Sequence, residues 1–391
     1  MIAFTYPGQG SQKAGMGEPW ADHPSWELVD EASEAADRDV AHLLLDASDD
    51  DLRHTRNSQL ATFVTSMIGV DAVSRIGVEA AGHAGHSLGE YTALTASGAL
   101  DFGDAVRLVA ERGEAMQVAA EERPGTMAAV LGLDDTEVES ACARADGDVW
   151  VANYNAPGQV VIAGDSGAID AAATIAKDLG AKRTMAIPVG GAFHTPYMGA
   201  AQERLRKAID KVDFRDPDHP VYSNVDGMAH SVATHCGGLL NSQLCSPVKW
   251  RQTLHSMADD GFSTFVELGP GAVLTGMVKR TIKGARSLTV NTPADVDSLL
   301  GSLAGPPASA VGAHEGETLF ATERLIVAPC AGIFHPVDDL PDGSSIEAGQ
   351  LLGTIGDTDV RSHFSGELMG FLAVADERVT GSQAIAWLRT S

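Results

Sequence analysis

Along residues 1–300, short apolar runs that end at glycine-rich loops alternate with longer segments of helical period. Ile2 to Tyr6 is the first such run, and it stops at Pro7-Gly8-Gln9-Gly10-Ser11-Gln12. This pattern predicts a buried strand ending in a loop that can present backbone N–H groups, although the residues alone favour a plain strand-ending turn. Trp26 to Ala47 and Ser58 to Ile76 have helical periodicity with acidic and polar faces, and Gln59 opens the second of them. From Val70 the pattern passes through Gly82 into a short small-residue strand, then Gly85-His86-Ser87-Leu88-Gly89-Glu90, then a helix over Tyr91 to Ala99. Strand, sharp turn and helix around Gly-x-Ser-x-Gly is the form of a nucleophile elbow, in which glycines stand where side chains would clash. Glycine and serine also make ordinary turns, so the pentapeptide alone leaves both readings open.

Between Asp104 and Glu121 the residues Ala105, Leu108, Ala115, Met116 and Ala119 share one helical face, and Arg112 falls on the same stripe. An inward guanidinium is costly unless it meets an acceptor, and its planar fork suits a carboxylate. The acceptor is either an internal acidic side chain or a bound anion. From Gly125 to Val189 the pattern becomes strand, helix, strand, strand, helix, strand, the split βαββαβ order of a small ferredoxin-like domain. Asn155-Ala-Pro-Gly-Gln159 is its central hairpin turn, and Lys182-Arg183 is one of few basic pairs. Next, Gly190-Gly191-Ala192-Phe193-His194 puts a histidine on a glycine-rich loop downstream of Ser87, the chain order that acyl-transfer sites use. Ser242-Gln243-Leu244 follows, and Phe265 to Gly271 reads as a strand entering a turn before a helix over Ala272 to Lys283. Alternating strands and helices over this length predict an α/β layered core.

Residues 301–316 are rich in Gly, Pro, Ala and Ser and read as a linker. Beyond it, Val327 to Phe334 resembles Arg361 to Leu368, and Ile346 to Ile355 resembles Val379 to Leu388. Two copies of a β-rich unit imply two interlocking halves rather than a solenoid.

Charge narrows the choice of partner. With 53 acidic against 27 basic side chains the net charge is −26, which argues against nucleic acid or an anionic membrane, since phosphate binding needs a broad basic face. The four cysteines are scattered, so a reduced, cytoplasmic protein is expected. No run is long and apolar enough for a membrane span, and no secretory leader is evident. His83 and His86 are three apart without further clustered ligands, so no metal is expected.

YPGQGSQ, GHSLGEYTAL, VRLVAERGEAM, NYNAPGQVVIAG, GAFHTPYM, SPVKW and VELGPGAVLTG, in this order over about residues 1–300, together resemble the malonyl-CoA:acyl carrier protein transacylase family. The resemblance implies an α/β-hydrolase-like core (1–123 and 190–300) carrying an inserted ferredoxin-like subdomain (124–189). It implies Ser87 as nucleophile, His194 as its base, and the backbone carbonyl of Gln243 in place of an acidic third member. Gln9 and Leu88 would supply oxyanion-hole N–H groups, and Arg112, helped by Gln59, would bind the malonyl carboxylate. Phe193 would crowd a substituent on the malonyl carbon. Asn155 and Gln159 would line the thioester entrance, and Lys182 and Arg183 would meet CoA phosphates or the acidic carrier. Malonyl-CoA and acyl carrier protein are the implied partners, with no cofactor.

Residues 317–391 resemble a biotinyl/lipoyl-type barrel-sandwich domain. Its carriers display a modified lysine on the hairpin between the halves, read here as Ile355-Gly-Asp-Thr-Asp-Val360. No lysine follows Lys283, so biotin or lipoate cannot be attached there by an amide, and a docking or self-association role is implied instead. Two other functions fit parts of the pattern: an acyl-thioester hydrolase, which shares the elbow but needs no inward arginine, and a scaffold acting through the C-terminal region.

Overall fold

The computed structural model describes residues 1–304, 323–329, 332–337, 340–341, 343–356, 358–362, 364–379 and 384–389. The chain forms two compact units, Met1–Val311 and Gly312–Ser391. In the first unit the strands run β1 (Ile2–Tyr6), β2 (Gly82–Gly85), β3 (Thr126–Leu131), β4 (Val149–Ala156), β5 (Gln159–Gly164), β6 (Arg183–Ile187), β7 (Val221–Tyr222), β8 (Ala229–His230), β9 (Thr264–Leu268) and β10 (Arg286–Val290). Six of them form one sheet in the order β10-β9-β1-β2-β7-β8, parallel except for β8. The parallel strands have helices in their connections, and all but the half-buried edge strand β10 are mostly buried, as βαβ geometry requires. This is an α/β fold.

Register decides where the chemistry sits. Tyr6 pairs with Gly85, so β1 and β2 end side by side and deliver the Gly8-Gln9 loop and the His86-Ser87 turn to the same edge. β7 ends beside β2, with Ala84 opposite Tyr222, and so brings Asn224 to that edge as well. Sites in open α/β sheets form where carboxyl ends of strands meet in this way.

The helix expected over Ser58 to Ile76 runs Thr55–Arg75, and its polar residues do not make a solvent face. Ser58, Gln59, Thr62, Thr65 and Ser66 are buried together with Leu60, Phe63, Val64 and Ile68, so the helix is enclosed on all sides. Small hydroxyls can bond their own helix, as the Thr65 hydroxyl does to the Ala61 carbonyl at 2.8 Å, so a polar pattern there need not face water. The segment Trp26 to Ala47 is two helices, Glu27–Ala36 and Val40–Leu45, divided where Asp37 takes a left-handed φ of 50°.

Residues 126–187 form a separate antiparallel sheet, β4-β5-β3-β6, with the helices Asp135–Arg144 and Ser166–Asp178 in its connections. Val130, Val138, Val160, Ile162 and Ile169 give it its own core. The helix Pro293–Ala304 extends four residues into the segment read as a linker, whose remainder, 305–316, lies outside the described residues.

In the second unit the strands are β11 (Glu323–Val327), β12 (Gly332–Pro336), β13 (Ser345–Ile346), β14 (Leu351–Ile355), β15 (Thr358–Arg361), β16 (Gly366–Phe371), β17 (Arg378–Val379) and β18 (Ala384–Arg389). They pair in two four-stranded sheets, β11-β18-β16-β13 and β15-β14-β12-β17. Each sheet takes two strands from the first copy of the repeat and two from the second, as interlocking halves require. Phe334, Leu352, Ile355, Leu368, Ile385 and Leu388 fill the space between. Ile355 pairs with Thr358 at the β14–β15 hairpin, of which Asp357 lies outside the described residues.

Among the described residues Cys142, Cys236 and Cys245 are free thiols, and Cys330 lies outside them. No helix there is long and apolar enough to cross a membrane, and no three metal-ligating side chains gather.

Candidate active site

The turn after β2 is an elbow. Ser87 has a φ of 52°, in the left-handed region that costs a non-glycine residue about 1–3 kcal/mol. A Cβ at Gly85 would overlap the Gly89 backbone, and one at Gly89 would overlap the Tyr6 carbonyl. Both glycines are therefore required by the close passage of β1, β2 and the helix Gly89–Ala96. Asn224 fastens the turn from behind. Its Oδ1 accepts from the Ser87 N–H at 2.6 Å, and its Nδ2 donates to the Gly85 carbonyl at 2.7 Å.

Ser87 Oγ lies 2.8 Å from His194 Nε2, and His194 Nδ1 lies 3.0 Å from the backbone carbonyl of Gln243. That carbonyl accepts only, so Nδ1 carries the proton and Nε2 is left as the acceptor facing the serine. Burial, and next the charge of Arg112, push the His194 pKa down to about 3, which keeps the ring neutral. His194 is thus a base that is empty at neutral pH, and its φ of 63° shows a second constrained backbone at the site.

Arg112 is fully buried, and the carboxylate partner that an internal salt bridge requires is missing among the described residues. Its Nη1 donates to Gln59 Oε1 at 2.7 Å, and its Nη2 to Gln243 Oε1 at 3.0 Å and Ser87 Oγ at 3.1 Å. Its Nε has no partner, and the guanidinium carbon sits 5.4 Å from the centre of the Tyr91 ring. A desolvated cation hydrogen-bonded only to neutral groups beside a serine is suited to pairing with an anion.

The Ser87 N–H is taken by Asn224, whereas the N–H groups of Gln9 and Leu88 have no protein acceptor among the described residues. A cavity of about 250 Å³ is lined by Gln9, His86, Ser87, Asn155, Gln159 and His194, with Met116, Met127, Ile187, Phe193 and Leu274 supplying apolar wall. Asn155 Oδ1 lies 2.8 Å from His86 Nε2, and Gln159 Oε1 is buried without a partner. Lys182 and Arg183 stand apart from this group: both are exposed at the start of the edge strand β6, outside the cavity lining.

Sequence reasoning missed three contributors. Asn224 lies in Ser-Asn-Val-Asp-Gly, a run that reads as a turn. The Gln243 side chain bonds Arg112, while only its backbone was expected to act. Glu90 is a fully enclosed carboxyl whose pKa burial raises to about 7, and its signal was a lone acid in a run of small apolar residues.

These buried groups predict how stability depends on pH. His83 and His194 are both lowered from 6.5 to about 3, chiefly by burial, so the unfolded chain binds protons first as pH falls below 6.5. Each histidine then costs about 2 kcal/mol of stability between pH 7 and pH 5. Glu90 acts oppositely, because its folded pKa lies above the ordinary 4.5 and its protonation as pH falls through 7 favours the folded state. A net loss is expected, and urea midpoints at pH 7 and pH 5 measure it. The Glu90→Gln variant should lose more than the wild type over the same interval.

The chain matches the family model for the acyl transferase domain over residues 3–305. It is 37% identical over 307 residues to the malonyl CoA-acyl carrier protein transacylase of Bacillus subtilis, covering 77% of this chain and 97% of that one. The crystal structure of an acyl carrier protein S-malonyltransferase from Vibrio cholerae superposes with a TM-score of 0.73 at 38% identity, covering 76% of this chain and 99% of that chain. A malonyl-transacylase solved with its type II polyketide acyl carrier protein gives 0.74 at 34% identity, over 77% of this chain and 99% of its own. The matched residues include every group gathered around Ser87, and the chain belongs to the malonyl-CoA:acyl carrier protein transacylase family of acyltransferases.

Proposed function

We propose that this protein moves a malonyl group from malonyl-CoA to the phosphopantetheine thiol of acyl carrier protein through a malonyl ester on Ser87, supplying fatty acid or polyketide synthesis. The observation that carries this reading is Arg112, a buried cation without a carboxylate partner whose Nη2 stands 3.1 Å from Ser87 Oγ. An esterase has no use for such a charge. A carboxylated acyl group needs it, because the fork takes both carboxylate oxygens and fixes the acyl chain relative to the nucleophile.

In the first half-reaction His194 Nε2 takes the Ser87 proton as Oγ attacks the thioester carbonyl. The Gln9 and Leu88 N–H groups receive the developing oxyanion, a contribution of about 10²–10³ in rate per donor. Collapse breaks the C–S bond, His194 returns its proton to the CoA sulfur, and malonyl-Ser87 remains. The carrier thiol then gives its proton to His194, attacks the ester carbonyl, and regenerates the serine. His194 works here as half of a Ser-His dyad oriented by the Gln243 carbonyl, and no cofactor or metal enters either step. Gln59 steadies Arg112, Phe193 limits substituents at the malonyl carbon, and Asn155 and Gln159 line the thioester's approach. Lys182 and Arg183 are proposed to meet the carrier or CoA phosphates at the rim.

The order β6-β3-β5-β4 with two crossover helices supports a ferredoxin-like insert at 124–189, and the parallel sheet supports a hydrolase-like core at 1–123 and 190–300. The interleaved sheets support a barrel-sandwich of biotinyl/lipoyl type for 317–391, serving contact with a protein partner or a second copy. A cytoplasmic setting fits the free thiols.

Intact mass spectrometry after addition of malonyl-CoA tests the function. A malonyl adduct that disappears when acyl carrier protein is added, with the carrier gaining the group, is the expected result. Release of CoA in turnover without any carrier would identify a hydrolase.

A further inference from the structure

Glu90 has no part in the chemistry above, yet its carboxylate lies at the junction of the site's two supports. Its Oε2 accepts from Gln243 Nε2 at 2.7 Å and from the Asn224 N–H at 3.1 Å. Asn224 is the residue that fastens the Ser87 turn, and Gln243 is the residue that holds both Arg112 and His194. A primary amide can be turned either way, and the two ends have opposite polarity. Only the NH₂ end of Gln243 can face a carboxylate and the Ser87 carbonyl, to which Nε2 also donates at 2.8 Å. Its Oε1 is thereby left facing Arg112. With the amide reversed, an NH₂ group would stand against the guanidinium and Arg112 would lose one of its neutral acceptors.

We infer that Glu90 is a positioning residue which, through the amide of Gln243 and the backbone of Asn224, sets Arg112 and Ser87 in register for a carboxylated acyl group. This deepens the function proposed above and rests on it. Glu90 touches neither substrate nor reacting atoms. Because Oε2 alone takes both bonds, the required property is a fixed acceptor at that point rather than a full negative charge.

The test compares Glu90→Ala, Glu90→Asp and Glu90→Gln in the full chain, using malonyl-CoA and acetyl-CoA as donors and acyl carrier protein as acceptor. Removing the acceptor in Glu90→Ala, or withdrawing it by one methylene in Glu90→Asp, is expected to lower malonyl transfer by about 10²-fold, the scale of a misplaced catalytic group. The malonyl preference over acetyl should fall as well, because Arg112 loses its orientation. Glu90→Gln keeps an oxygen at the same place and is expected to hold both rate and preference within several-fold of wild type. A residue needed only for folding would lower Tm in all three and leave the malonyl preference of the folded fraction unchanged, which would overturn the inference. Equal damage in Glu90→Gln and Glu90→Asp would also overturn it. If Glu90→Ala does not fold, the Gln and Asp pair decides alone. Failure of the underlying function is separate, since the wild-type chain would then form no malonyl adduct.

Discussion

Ser87→Ala is expected to abolish the malonyl adduct seen by intact mass and to lower transfer to the carrier by about 10⁴- to 10⁶-fold, the range found when the nucleophile of a cooperating catalytic group is removed. The substitution removes one oxygen and leaves the elbow in place, because Asn224 binds the Ser87 backbone and not its hydroxyl. Fold and thermal stability should therefore survive, and binding of malonyl-CoA at Arg112 should persist. An adduct that remains in this variant would place the ester on another residue and remove the central assignment.

Arg112→Ala is expected to cut kcat/KM for malonyl-CoA by about 10²- to 10³-fold, because a charged hydrogen-bonded pair buried from water is worth about 2–5 kcal/mol when one partner is lost. Acetyl-CoA, which has no carboxylate, should lose far less, so the ratio of the two donors shifts toward acetyl. Stability gives an independent reading. Deleting half of a buried ion pair costs about 3–5 kcal/mol, whereas deleting Arg112 relieves the desolvation of its charge while leaving Gln59 Oε1 and Gln243 Oε1 without that donor. Arg112→Met, which fills much of the same volume, should thus lose less stability than the removal of half a buried ion pair would cost. A sharp drop in Tm with unchanged donor selectivity would make Arg112 a structural residue.

The parts of this fold that were readable in the sequence are those where backbone and pattern agree locally. The strand over Ile2 to Tyr6, the elbow at Gly85 to Gly89 and the βαββαβ order from Thr126 to Ile187 each follow from glycine placement and hydrophobic period. Arg112 was visible because a charge on an apolar stripe violates the pattern, and such violations gather at functional sites. What stayed hidden depended on three-dimensional company. The hydroxyl-rich helix at Thr55–Arg75 looks half-exposed by pattern and is enclosed because other elements surround it. Asn224 and Glu90 belong to the site through bonds spanning 137 and 153 residues, for which no local pattern exists. Lys182 and Arg183 are a notable basic pair that lies outside the cavity lining.

The bonds that join Ser87 to residues 194, 224 and 243 have a consequence for the protein's birth on the ribosome. The elbow is translated early, but the histidine and asparagine that it bonds, and the carbonyl that bonds the histidine, are all translated more than a hundred residues later. Until residue 194 has left the exit tunnel, Ser87 lacks the imidazole it bonds, and until residue 243 follows, that imidazole lacks the carbonyl that holds it. The arrangement around Ser87 is therefore complete only when most of the first unit has been made.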